Sequence, residues 1–358
     1  MAIIPKITVV EQKTTPPVDP THAGRICFIG AFDKDKDPAT VTGEVGEEVY
    51  SFVINNINEE YEAYTKLGTD DTTYPALKCI PHLFKGATSM VSVNMTVDDT
   101  TPDTSITANK LGQALNALLL EKFDILFVAA DTISDELLAV IKAFYDKRLE
   151  DKRPFDYIGY GTRANMAAYE TSVALMPRSC NFIMQPLEDY ALMESAALMT
   201  GYIAGNVLGM SLTNKIVPDV DELGTELTFG TGDDGYLLVK KGYTIFKITN
   251  RLDSEVQIIN GKQFNGFDGY INRVTNAIIR DFNLEAFLGA INSNPTLMSV
   301  QAECARIKDK WCTILGYAKD IEYYVEKASP ECVVIKLSKI VYDGVITEIE
   351  LYYTIEVE

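Results

Sequence analysis

Between residues 110 and 175 apolar runs alternate with helical spacing, and this alternation restricts the fold more than any other feature. Residues 110–121 have helical spacing. Phe123-Asp124-Ile125-Leu126-Phe127-Val128-Ala129-Ala130 is a near-continuous apolar run, which suits a strand covered on both faces. Ser134 stands where a helix N-cap belongs, with Asp135 and Glu136 in the first turn, and the spacing predicts a helix to about residue 152. Phe155-Asp156-Tyr157-Ile158-Gly159 reads as a second strand and 162–175 as another helix. Strand, helix, strand, helix in this order requires parallel neighbours joined by crossovers. The expected class is α/β (α+β), with a helix-covered mixed or parallel sheet in the N-terminal domain.

Other elements extend this reading. Arg25-Ile26-Cys27-Phe28-Ile29-Gly30-Ala31 and Ser89-Met90-Val91-Ser92-Val93-Asn94-Met95 read as strands. Helical spacing is expected over 47–67 and over 74–84, the latter interrupted near Pro81. The 190–208 segment predicts a helix whose Ala191, Ala196, Ala197, Gly201, Ala204 and Gly205 let another element approach closely. After Pro218 the texture changes. Strands are expected at 236–239, 243–248 and 256–259, then helices at 267–290 and 296–315, then strands at 318–326, 332–341 and 345–358. The division that follows is an extended arm at 1–22, an α/β domain at 23–225, a smaller C-terminal α+β domain at 226–344 and a β arm at 345–358.

The 358 residues suit two domains, and 47% hydrophobic with 23% charged residues is the balance of a folded chain. No apolar run reaches the roughly 20 residues that span a bilayer, so direct membrane insertion is not expected. Met1-Ala2-Ile3-Ile4-Pro5-Lys6 has no basic segment followed by an apolar one, so folding in a cytoplasm is expected. The six cysteines form no Cys-x-x-Cys pair and read as reduced, buried thiols. A net charge of −19 repels nucleic-acid phosphates, and it also repels further copies of the chain.

Motifs for chemistry are few. Gly159-Tyr160-Gly161-Thr162-Arg163-Ala164 fits the G-x-G-x-x-A turn that cradles a phosphate at a helix N-terminus. It follows a late strand, however, and lacks the acidic residue of a dinucleotide unit, so a tight strand-to-helix turn is the simpler reading. Gly230-Thr231-Gly232-Asp233-Asp234-Gly235 matches the same spacing but places two acids where phosphates would lie. His22 and His82 are the only histidines, and neither sits in a zinc or nucleophile motif. No catalytic, cofactor or metal residue is assigned, and no enzyme activity is expected.

The termini are more informative. Tyr342-Asp343-Gly344-Val345 is a two-residue hairpin signal. Beyond it Ile349, Leu351, Tyr353, Ile355 and Val357 alternate with Glu348, Glu350, Tyr352, Thr354, Glu356 and Glu358 to the last residue. Such a strand does not stay a bare edge. It completes its own sheet or adds to a neighbour's. At the other end Ile3, Ile7 and Val9 share one side of an extended stretch, followed by the stiff Thr14-Thr15-Pro16-Pro17-Val18-Asp19-Pro20.

The order of these features resembles the tail sheath family of contractile phages and R-type bacteriocins. An N-terminal arm leads into Gly24-Arg25-Ile26-Cys27-Phe28-Ile29-Gly30-Ala31, similar to the family's opening strand. Met90-Val91-Ser92-Val93 and Asp124-Ile125-Leu126-Phe127-Val128-Ala129-Ala130 resemble its next strands. Tyr270-Ile271-Asn272-Arg273-Val274, Phe287-Leu288-Gly289-Ala290-Ile291-Asn292, the 296–315 helix with Gly316 after it, and the closing strands resemble its C-terminal domain. The family's usual Gly-Ala-Arg-Thr segment is not evident, and the chain has the length of a minimal form.

The resemblance implies a structural subunit that forms hexameric rings, stacked as a helix around an inner tail tube and contracting to drive that tube through a membrane. It implies partners in further copies, the tube protein, and baseplate and terminator proteins. The particle would be a virion tail or extracellular contractile device, assembled in the bacterial host cytoplasm. Ile349, Leu351, Tyr353, Ile355 and Val357, with Ile3, Ile7 and Val9, would form the inter-subunit arms. Arg306, Lys308 and Lys310, on an otherwise acidic chain, are candidate tube-facing residues; a solvated helix face is the alternative. A nucleotide-dependent enzyme using the Gly159–Ala164 turn and a sheath-related baseplate or terminator protein are the other readings.

Overall fold

The computed structural model describes residues 24–34, 41–42, 48–96, 105–206, 208–249, 255–284, 287, 293–329 and 332–342. Its strands are β1 (Arg25–Gly30), β2 (Val41–Thr42), β3 (Glu48–Val49), β4 (Ile54–Ile57), β5 (Ser89–Asn94), β6 (Ile125–Ala129), β7 (Asp156–Tyr160), β8 (Cys180–Ile183), β9 (Phe246–Ile248), β10 (Val256–Ile258), β11 (Asp320–Ser329) and β12 (Cys332–Val341). Its α-helices are α1 (Glu60–Leu67), α2 (Ile80–Phe84), α3 (Ala108–Ala117), α4 (Asp135–Glu150), α5 (Met166–Val173), α6 (Leu192–Gly205), α7 (Asp234–Lys241), α8 (Gly269–Asp281) and α9 (Asn294–Asp309).

Six strands form one sheet in the order β4-β5-β1-β6-β7-β8. β1, β5, β6, β7 and β8 run parallel, with Cys27 opposite both Val91 and Leu126. β4 closes one edge antiparallel, so the sheet is mixed. All of β6, β7 and β8 is buried, because helices cover both faces. The expected caps form: Ser134 Oγ accepts the Leu137 N–H at 3.3 Å. On α6, Leu198, Met199 and Ile203 are buried; each contributes about 1.5–3 kcal/mol. The small residues of α6 serve packing, as expected. A Cβ on Gly201 would stand 2.1 Å from the His82 carbonyl oxygen, and one on Gly86 equally close to the Gly201 carbonyl oxygen.

Two local expectations fail for identifiable reasons, and one strand was not expected. Residues 236–239 lie in helix α7, not in a strand. Four consecutive apolar residues fit either state, and the ends decide: Asp234 occupies the first turn, Lys240 and Lys241 the last, and Gly242 caps it at φ 97°. Residues 54–57 form an edge strand instead of continuing a helix from 47, because β5 offers Ile54 to Ile57 a backbone partner; the helix starts only at Glu60. β8 was not read from the sequence, since its buried Asn181 interrupts the apolar run.

Two cores are present. The first runs from Ile26 to Ile258 and takes in Leu238, Tyr243, Ile245 and Phe246. The second gathers Val274, Ile278 and Phe282 with Val300, Cys304, Ile307, Trp311 and Ile321.

Candidate assembly surface

Helix α8 joins the two cores. Its N-cap Asp268 accepts the Tyr270 N–H at 3.1 Å and the hydroxyls of Ser211 (2.7 Å) and Thr213 (3.0 Å), which pins the helix start to the first unit. One face of α8 carries Val274 and Ile278 into the second core. Another presents polar groups to the feet of β6 and β7. Arg280 pairs with Asp124 at 2.8 Å and donates to the Pro154 carbonyl at 2.9 Å. Asn276 Nδ2 donates to Asp156 Oδ1 at 3.1 Å and to Ser179 Oγ at 3.2 Å. Arg273 lies 3.9 Å from Asp156. Burial raises the Asp156 carboxyl, opposed by Arg273, and burial lowers the Arg273 guanidinium. Sequence reading assigned none of these residues a role. The signal available was a repeat: Phe123-Asp124 and Phe155-Asp156 put an acid just before β6 and at the first residue of β7.

The second unit presents a long antiparallel hairpin, β11–β12, with Tyr323 opposite Leu337 and Val325 opposite Ile335. Ile321, Tyr323, Val325, Val333, Ile335 and Leu337 turn one face to the second core. On the other face Tyr324 is 62% exposed, and Glu322–Lys339 and Glu326–Lys336 pair across the strands. The register skips Ser338, a bulge whose hydroxyl donates to the Glu322 carbonyl at 3.0 Å. Among the described residues each of these strands has one partner, and no further strand lies along either outer edge. Two strands alone are marginal, and open edges recruit further strands. A groove lined by Phe267, Ile271, Thr275, Leu337, Ile340 and Tyr342 runs beside the outer edge of β12.

Expected site residues fall in two groups. Ile3, Ile7, Val9, Ile349, Leu351, Tyr353, Ile355 and Val357 lie outside the described residues. Arg306, Lys308 and Lys310 lie close in sequence, but each is matched within the chain. Arg306 forms two hydrogen bonds to Glu303, at 2.6 and 2.9 Å, and is the most exposed of the three. Lys308 stands 2.6 Å from Asp320 on β11. Lys310 stands 2.9 Å from Asp281 on α8, and the Trp311 N–H donates to the same oxygen. Lys308 and Lys310 therefore tie three elements together. The helix expected over 296–315 ends at Asp309, and a wider π turn over Lys310–Ile314 places Trp311 in the second core.

The Gly159–Ala164 turn is filled from within. A Cβ on Gly159 would meet the Phe182 ring at 2.7 Å, so this glycine serves strand packing. Arg163 folds over the turn onto Ser172, Asp135 and the Ile133 carbonyl. The Arg163 N–H donates to the Tyr169 hydroxyl and the Ala168 N–H to Asn165 Oδ1. The backbone donors of Gly161, Arg163 and Ala168 are thus engaged within the chain. His82 is buried beside the Tyr190 ring, at 4.7 Å, and burial lowers its pKa. Among the described residues no group of three or more His, Cys, Asp or Glu could hold a metal ion.

No protein-family model matches the chain, and no curated protein does. Solved structures do match. A sheath tail protein from Listeria innocua superposes with a TM-score of 0.65 at 11% identity, over 90% of this chain and 93% of its own. The helical sheath of the anti-feeding prophage in its contracted state gives 0.64 at 12% identity, over 99% of both chains. A chain of that prophage's baseplate, a six-fold symmetrised structure, gives 0.63 at 13% identity over the full length of both. The fold is that of contractile tail sheath proteins.

Proposed function

We propose that this chain is the structural sheath subunit of a contractile injection system, without catalytic activity of its own. The supporting observation is that the likeness to a contractile sheath spans both units, including the hairpin whose two edges carry no further strand among the described residues. In this reading copies assemble as stacked hexameric rings around an inner tube, held by strands exchanged between subunits. The units divide where the two cores part, between Ile258 and Val274, with α8 as the joint. Terminal arms of neighbours add to the hairpin's outer edges, so subunits stay linked while rigid bodies rotate during contraction. Arg306, with Lys308 and Lys310 behind it, faces the tube. Partners are further copies, the tube protein, and baseplate and terminator proteins. The assembled particle is a virion tail or an extracellular device, built in the host cytoplasm. Negative-stain microscopy of the purified chain at raised ionic strength tests this: striated tubes or rings are expected, and dispersed single subunits at high concentration contradict it.

The likeness to a baseplate chain favours a second reading, a sheath-related baseplate or terminator protein. Copy number per particle separates the two: many copies for a sheath, one ring for a cap.

A further inference from the structure

We propose that copies of this chain meet head to tail, the acidic start of α1 (Glu59, Glu60 and Tyr61) seating in a lysine-lined groove beside α7 of the next copy. That copies assemble is the sheath reading, and the pairing of these two surfaces rests on it.

The groove lies between the last turn of α7 and residues 260–266. Its 330 Å³ is room for one aromatic side chain and its flanks. Tyr236, Val239 and Phe264 supply apolar walls. Phe264 is fixed by the Tyr243 ring, 5.0 Å away and near perpendicular. Among the described residues the lining carries three lysines and no carboxylate, on a chain of net charge −19. Lys241 is matched by Glu170 at 2.7 Å, outside the groove. Lys240 and Lys262 are exposed and face no carboxylate within ion-pair reach among the described residues. Lysines in a last turn suit the helix dipole. That accounts for Lys240 and Lys241, but not for Lys262, which comes from another segment, nor for the 44% exposed Tyr236 ring.

The matching surface is on α1. Tyr61 is 82% exposed, the most exposed large apolar side chain among the described residues. Glu59 and Glu60 beside it are exposed, and Glu59 makes no side-chain cap. Glu62, by contrast, is occupied by the Asn58 N–H and by Lys66. A protruding tyrosine collared by uncommitted charges has the form of an interface anchor. In the groove its ring meets Tyr236 and Phe264, and the two acids meet Lys240 and Lys262. Charge selects this occupant: copies of an acidic chain repel over most of their surface, and a cationic groove is where an acidic projection is accepted.

Placement makes the contact head to tail. α1 packs against β4, one edge of the six-stranded sheet. Thr244, just past the α7 cap, bridges Ile183 of β8, the opposite edge. Five strand spacings, about 24 Å, separate these edges, so the two surfaces of one copy do not reach each other. Two unlike patches on opposite sides of a chain join copies in a directional series, which closes as a ring or continues as a helix.

The test uses the full chain, half of it isotopically heavy, at the concentrations used for microscopy. A carbodiimide is added, which joins a carboxylate to an amine only where the two touch. Digestion should yield peptides linking Glu59 or Glu60 to Lys240 or Lys262, with light–heavy links as frequent as like-label ones. Absence of these links, like-label links alone, or links from these lysines to another acidic segment overturn the contact. Glu59→Lys with Glu60→Lys should raise the concentration for assembly about tenfold or more, and so should Lys240→Glu with Lys262→Glu. All four together should return it to near the parent's, a rescue that a merely misfolded variant would not show. A combined variant no better than either pair overturns the contact. Tubes or rings formed without the links sink the contact and leave the sheath reading standing. Links between copies that never build tubes or rings do the reverse.

Discussion

Arg280 and Asp124 stand 2.8 Å apart, the one on the helix that opens the second core, the other at the foot of a strand in the first sheet. Both side chains are largely buried, with Arg273 and Asp156 beside them. The two cores are therefore coupled through charges that water does not screen well. A joint of this kind holds one orientation firmly and offers little to hold a second.

Arg280→Ala removes the ion pair, leaving Asp124 the Arg25 N–H at 3.3 Å, and should destabilise the fold by about 3–5 kcal/mol, the order expected for breaking a buried pair. Urea unfolding followed by fluorescence checks this. The expected result is a lower midpoint, with the second core, which holds Trp311, melting before the first. An unchanged midpoint would contradict a stabilising role for the Arg280–Asp124 pair.

The glycines divide into two kinds that substitution separates. Gly201→Ala drives a methyl group to 2.1 Å from the His82 carbonyl oxygen and should cost about 1–3 kcal/mol or more by overpacking. Gly112→Ala on α3 meets only Val140 at 3.7 Å and should stabilise by about 0.5–1 kcal/mol. Thermal melts of the two variants should move in opposite directions.

Thiol reactivity should follow burial. Burial pushes Cys27 up to about 12 and raises Cys79 and Cys180 well above the ordinary thiol range. Cys332 is exposed on β12 and Cys312 half-buried, which the expectation of six buried thiols did not separate. Alkylation of the native chain at pH 8 should modify Cys332 first, and Cys27, Cys79 and Cys180 only after denaturant. Early labelling of Cys27 or Cys180 contradicts the placement of the sheet, and early labelling of Cys79 contradicts the packing of the turn that leads into α2.

Much of the first unit was legible because its signals are local and agree with one another. The apolar run at 125–129, the Ser134 cap and the acids behind it all specify one outcome, and tertiary packing upholds it. Residues 236–239 and 54–57 were misread because their fate depends on a capping glycine and on a partner strand far away in sequence. The joint was invisible for a similar reason. Arg273, Asn276 and Arg280 share one face of α8, but nothing in their spacing says that Asp124 and Asp156, over 100 residues earlier, wait opposite. The hairpin was legible as two strands, whereas the bulge at Ser338 exists only in the pairing.

Lys308 and Asp320 supply a pH test. The Lys308 ammonium, donating to Asp320, holds that carboxyl below its ordinary range. A lowered folded-state value means the pair's contribution is present above the ordinary carboxylate pKa, about 4, and fades as pH falls through the lowered value. Lys308→Met should raise the Asp320 titration toward the ordinary range by carbon NMR, with the Ile321 N–H and Lys339 still holding it down. The stability gap between parent and variant should be widest above about pH 5 and close in acid. A gap that widens in acid contradicts this pairing.

Deleting residues 346–358 from the full chain and imaging both proteins under identical conditions tests most directly whether these residues hold copies together. The parent should form ordered tubes or rings, while the shortened chain keeps its thermal melt and circular dichroism and forms none. Tubes from the shortened chain, at the same concentration and with the same repeat as the parent, would contradict it.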